Sequence, residues 1–163
     1  MKTIVVGIDP GLNNGIAIYR RVDKGFEFKL YREDFWNTVE SIKKIADQAK
    51  QHGYQLTFLI ECPQHNKPVF LRTLKGSKSG NMDMKIAQDI GMNKKVAILL
   101  VEYLKRLNLR HCEITPTKSK MKPEGFEKLT GIKKSNEHCR DAAMLIIDNG
   151  YTHFKNVPSR NNF

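Results

Sequence analysis

Four side chains have the types and positions to do chemistry: Asp9, Glu61, His138 and Asp141. Asp9 ends the apolar, β-branched run Ile4-Val5-Val6-Gly7-Ile8 and precedes Pro10-Gly11. Glu61 ends a second such run, Leu56-Thr57-Phe58-Leu59-Ile60, and Pro63 closes it. A carboxylate at the end of a buried strand is costly unless it is paired or bound to a cation. His138 and Asp141 stand three residues apart, so on a helix they project from one face. If the two strands are neighbours and that helix packs over their ends, three carboxylates and an imidazole meet at one point. They would repel unless cations sat between them. Oxygen-rich sets of this kind suit Mg²⁺ or Mn²⁺, and the imidazole leans towards Mn²⁺. Two such ions about 4 Å apart can activate water and stabilise the leaving oxygen of a phosphodiester. The plainer readings are that Asp9 starts a turn, as Asp often does, and that His138 is a surface residue of its helix.

The elements that must position these residues follow from the periodicity. Residues 2–9 and 15–20 read as two strands joined by a turn rich in Gly, Pro and Asn. Phe26, Phe28 and Leu30 alternate with polar neighbours as a third strand, which completes an antiparallel meander. From Phe35 to Gln51 the period becomes helical, with Trp36, Val39, Ile42 and Ala46 on one stripe and Gly53 as terminator. The run from Leu56 reads as a buried strand parallel to the first. A long helix is expected from about Asp83 to Asn108, with a wide face carrying Ile90, Ala97, Leu100 and Leu104 beside Val96, Leu99, Tyr103 and Leu107. That width suits burial against the sheet on one side and a second subunit on the other. A short strand at Cys112 to Pro116 follows. Phe126, Leu129 and Ile132 offer a short helix or turn, and a final helix runs from a Ser135 or Asn136 cap to near Gly150. The fold class is therefore α/β, with a mixed five-stranded sheet of three antiparallel and two parallel strands flanked by helices. One domain spans 1–150, and 151–163 is a tail.

The net charge of +11 makes a polyanion the first partner to consider. Residues 64–82 carry Lys67, Arg72, Lys75 and Lys78 around Phe70, a pattern that can hold phosphates and wedge against bases. Lys118, Lys120 and Lys122 form a second basic stretch after the last strand. There is no apolar run long enough to span a membrane and no signal-peptide pattern, so a soluble, cytoplasmic protein is expected. Cys62, Cys112 and Cys139 are odd in number and lack CxxC spacing, which argues against a disulfide framework. Cys62 and Cys112 are expected to be buried in or beside strands, and His52, His65 and His153 to lie on the surface.

Gly7-Ile8-Asp9-Pro10-Gly11 with Gly15, then Ile60-Glu61, then His138-Cys139-Arg140-Asp141-Ala142, occur in this order on these elements. In this the chain resembles the RuvC-type Holliday junction resolvases, whose fold is RNase H-like. The resemblance covers nearly all of residues 1–150, and Glu61-Cys62-Pro63-Gln64 with the compact length is similar to a phage-type branch. It implies a homodimeric, structure-selective endonuclease that cuts four-way junctions or other branched DNA, in a bacterial cell or a phage-infected host. Asp9, Glu61, His138 and Asp141 match the family's catalytic metal positions, which hold two Mg²⁺ or Mn²⁺ ions, with Asp9 bridging them. Lys118 resembles the family's basic residue near the scissile phosphate, and Phe70 lies in the loop where the family places an intruding aromatic. Ile90-Gly91 with Lys94 resembles the dimer-helix signature. No small-molecule cofactor and no membrane partner is implied. Two alternatives stay open: an RNase H-like nuclease acting on RNA or RNA–DNA hybrid, and a non-catalytic module that binds branched DNA.

Overall fold

The computed structural model describes residues 2–22, 25–66, 80–117 and 120–151, of which 22 and 80–86 are described as backbone only. The elements run β1 (Thr3–Asp9), β2 (Asn14–Val22), β3 (Gly25–Glu33), α1 (Phe35–His52), β4 (Gln55–Glu61), a 3-10 turn (Pro63–His65), α2 (Gly80–Arg106), β5 (His111–Ile114), α3 (Pro123–Thr130) and α4 (Glu137–Asp148). The strands form one sheet in the order β3-β2-β1-β4-β5. β1, β2 and β3 pair antiparallel, and β4 and β5 continue the sheet parallel to β1. The mixed α/β sheet expected from the periodicity is the one observed.

Strand alternation divides the core into two layers. Ile4, Val6 and Ile8 of β1 and Phe58 and Ile60 of β4 face α1 and α2, where they meet Ile42, Leu100 and Leu104. Val5 and Leu59 face the other way, against Phe126 of α3 and Ala142, Ala143 and Ile146 of α4. By the same parity Asp9 and Glu61 belong to the α4 side. In the parallel β1–β4 register Ile8 lies opposite Ile60, so the next residues, Asp9 and Glu61, end adjacent strands side by side. Strand spacing alone then holds the two backbones about 5 Å apart.

Local chemistry explains the helix boundaries. Asp34 caps α1 by accepting from Asn37 N (2.8 Å), and Gly53 ends it in the left-handed conformation (φ 68°). Asn136 caps α4 by accepting from His138 N at 3.0 Å. α2 begins at Gly80 and ends at Arg106, earlier at both ends than the periodicity suggested.

Three expectations about burial are corrected. Trp36 is 73% exposed, because Phe35 takes the inward place beside Thr38, Ile42 and Ala49, and the next residue is turned about 100° around the helix. Cys112 is exposed, because β5 is a four-residue edge strand paired on one side only. On α2 the buried stripe is Ala97, Leu100, Val101 and Leu104, whereas Leu99 and Leu107 are exposed. No helix among the described residues is long and apolar enough to cross a membrane.

Candidate active site

The site is built where β1 and β4 end under the N-terminal half of α4. Two glycines allow that approach. A Cβ on Gly7 would overlap the carbonyl oxygen of Ala142, and one on Gly15 would overlap that of His138. With hydrogen in both places the helix backbone rests directly on β1 and β2. α4 is also tied at its sides. Cys139 Sγ donates to Tyr31 O of β3 at 3.2 Å. The buried Arg140 donates to Met121 O (3.1 Å) and Ser135 O (2.8 Å), which draws the segment before α3 against the helix. The turn after Asp9 is held by Asn14, fully buried, which accepts from Gly11 N at 3.1 Å and donates to Thr38 Oγ1 at 2.8 Å.

This scaffold brings all four sequence candidates together. His138 Nδ1 donates to Asp9 Oδ2 at 2.7 Å. Asp141, buried like Asp9, accepts from Lys120 Nζ in a close ion pair. Glu61 lies within electrostatic range of Asp9, Lys120, Asp141 and His138. The electrostatics record the crowding. Burial first, and the Asp9 carboxylate second, push Glu61 up to about 7. His138 is raised chiefly by its hydrogen bond to Asp9. For Lys120 burial is the largest single influence and lowers its pKa, but the Asp141 hydrogen bond and the Glu61 and Asp9 charges together outweigh it and leave it raised.

Three carboxylates, one imidazole and a lysine ammonium thus share one corner of the sheet. The donor types, mostly hard oxygen with one nitrogen, suit a hard divalent cation, although no three of these groups have ligand atoms all within 4.8 Å of one another, so a bound ion would have to draw them together. The Lys120 ammonium among the carboxylates shows that a cation is accommodated there. A cleft of about 650 Å³ leads away from Glu61 and Asp141, lined by Lys120 and Lys122 but also by Glu124 and Asp148, with Thr117 and Met144.

Of the expected DNA-contacting residues, Lys120 and Lys122 border this cleft, Lys120 in direct contact with the acidic cluster. Phe70, Arg72, Lys75, Lys78 and Lys118 lie outside the described residues, as does the tail beyond Tyr151. Sequence reasoning missed the supports: Arg140, Asn14 and Thr38 are polar residues buried for positioning. Asn14 was legible as a turn residue, but Thr38 and Arg140 sit in amphipathic helices without a distinguishing local signal. It also missed a group on the other sheet face, Cys62, His65 and Glu113, whose ligand-capable atoms lie within 4.8 Å of one another. The Cys62-x-x-His65 spacing was the available hint.

Comparison with family models, curated proteins and solved structures finds no match to this chain.

Proposed function

We propose that the protein is a divalent-metal-dependent endonuclease of RNase H-like fold that hydrolyses phosphodiester bonds in branched DNA, four-way junctions foremost. The observation that carries this reading is the convergence of Asp9 and Glu61, at the ends of adjacent parallel strands, with His138 and Asp141 of α4, beside a cleft that Lys120 and Lys122 border together with Glu124 and Asp148. Asp9, Glu61, His138 and Asp141 would hold Mg²⁺ or Mn²⁺, two ions per site. When bound, such ions lower the pKa of water and offset the charge that develops on the phosphate.

The chain's own groups prepare the site. The hydrogen bond from His138 orients the Asp9 carboxylate. Lys120 neutralises Asp141 and stands at the mouth of the cleft, where its ammonium can turn to a phosphate oxygen once the carboxylates have another cation. Lys122, at the N-cap of α3, adds positive charge on the same wall. The +11 charge of the whole chain supplies the longer-range attraction for a polyanion. Symmetric cuts in a junction need two sites, and the exposed Met92 and Leu99 on α2 offer apolar surface for a second copy.

The test is cleavage of a labelled four-way junction against matched linear duplex and RNA–DNA hybrid. It is run with Mg²⁺, Mn²⁺ or EDTA, for wild type and Asp141→Asn. Paired, metal-dependent cuts in the junction, lost in the variant, are expected. Hybrid cleavage with an untouched junction would move the protein to the ribonuclease side of the fold. Tight junction binding without cleavage in either metal would leave a DNA-binding module.

A further inference from the structure

The end of β4 presents different chemistry to its two faces. Glu61 turns towards α4, and Cys62, by alternation, turns into the layer formed with α1 and α2. There the 3-10 turn Pro63–His65 carries the chain back, so that His65 and Cys62 share one side of it. His65 N donates to Cys62 O at 3.0 Å, which closes the turn. β5 completes the group. Cys62 N donates to Ile114 O at 2.7 Å, and Glu113, the residue before, reaches His65 Nε2 at 2.8 Å.

The result is one sulfur, one imidazole nitrogen and one carboxylate oxygen, all within 4.8 Å of one another. Tetrahedral zinc, with bonds of about 2.0–2.3 Å, holds its ligand atoms about 3.3–3.8 Å apart, so no pair needs to close by more than about 1 Å, while the His65 Nε2–Glu113 Oε2 pair at 2.8 Å opens slightly. We propose that Cys62, His65 and Glu113 form a mononuclear site for a thiophilic divalent cation, Zn²⁺ above all, on the sheet face opposite the acidic cluster. The inference is independent of the nuclease reading.

The surroundings fit the assignment. The Cys62 sulfur is buried, whereas His65 and Glu113 are partly exposed, so an ion enters from solvent past them and keeps an open fourth position for water. Burial first and the Glu113 charge second push the Cys62 thiol up to about 11, which the side-chain hydrogen bond from Gln64 offsets only in part, so the thiol is protonated until a cation takes the proton's place. Lys105 Nζ lies 3.2 Å from Glu113 Oε1 and orients the carboxylate as an outer partner, while Oε2, which bonds His65 Nε2 at 2.8 Å, is the oxygen a metal would take over. In the absence of metal the His65–Glu113 ion pair holds the group together, and a partly exposed pair of this kind is weak enough for a cation to displace. On binding, the Cys62 thiol proton passes to solvent and a metal–sulfur bond forms. The ion would pin the end of β4, one residue from Glu61, to edge strand β5.

The test is optical titration of the purified full chain with Co²⁺ under reducing conditions, followed by displacement with Zn²⁺. A thiolate-to-cobalt charge-transfer band is expected, saturating at one equivalent, bleached by Zn²⁺ and unaffected by a large excess of Mg²⁺. Cys62→Ser should abolish it. His65→Ala should weaken Co²⁺ binding by more than the roughly 10–100-fold that outer partners cost. Asp9→Asn should leave the band intact, which separates this site from the acidic cluster. No thiolate band in the wild type overturns the proposal, as does a band that survives Cys62→Ser and so arises from Cys112 or Cys139. Should Cys62→Ser fail to fold, the partly exposed His65 supplies the decision: an unchanged titration in His65→Ala refutes the site.

Discussion

Glu61→Gln provides a direct test of the acidic cluster that does not depend on any substrate. Glu61 is held near 7 in the folded chain against an ordinary value of 4.5, by burial first and then by Asp9. Between those values the folded state keeps a proton that the unfolded chain has released. Folded molecules therefore bind more protons, and wild-type stability falls as pH rises from about 4.5 through about 7. The full shift corresponds to about 3 kcal/mol. Glu61 is partly exposed, and solvent screening reduces the expected effect to about 1–2 kcal/mol. The amide of Glu61→Gln mimics the protonated acid. In EDTA the variant should match wild type at pH 5 and exceed it by about 1–2 kcal/mol at pH 8, which is about 3–6 °C in melting temperature for a chain of this size. Urea denaturation of both proteins at the two pH values measures this. At pH 8, Mg²⁺ at about 100 times its Kd should add about 2.7 kcal/mol to wild type and much less to Glu61→Gln. An equal difference between the proteins at both pH values, or a variant less stable at pH 8, would mean that Glu61 is not crowded by Asp9 and Asp141, and the site as described would fall.

Gly15→Ala should push α4 off the sheet, since its Cβ meets the His138 backbone; a loss of about 3 kcal/mol or more is expected by thermal denaturation, together with weaker Mg²⁺ binding. Thr38→Val strands the buried Asn14 amide without its acceptor and should cost about 1–3 kcal/mol in urea unfolding, whereas an unaltered midpoint would show that the turn after Asp9 does not rely on this bond. Lys120→Met removes the cation that competes for Asp141, so calorimetric Mg²⁺ affinity without DNA should rise about 10-fold or more, and an unchanged affinity would count against Lys120 as the resident counter-ion. Gly53→Ala, in the left-handed cap of α1 with open space around it, should cost about 1–2 kcal/mol by chemical denaturation and leave junction cleavage untouched.

Much of the fold was legible because strand and helix periods differ. The alternation in β3, the apolar runs of β1 and β4 and the Gly53 stop are local signals, and the structure has each of them where the sequence put it; of the two candidate caps, Ser135 and Asn136, the structure uses Asn136. The placement of Asp9 and Glu61 at strand ends was legible for the same reason. Apolar character alone did not show which residue of α1 faces inward, because Phe35 and Trp36 are both large aromatics, and only packing against the sheet chose between them. Cys112 was misjudged because edge position is a property of strand order, not of the residue.

The elements, the basic character and the identity of the acidic side chains depend on composition and short-range spacing, and so could be read residue by residue. That these residues meet depends on long-range packing. Asp9 and Glu61 adjoin through the β1–β4 register. His138 reaches Asp9 because Gly7 and Gly15 let α4 lie against the strands. Lys120 faces Asp141 in a segment that Arg140 draws in. Cys62 and Glu113 come within reach because β5 pairs with β4. Each of these contacts joins residues distant in the chain, and the free energy that selects them is the burial of both sheet faces at once.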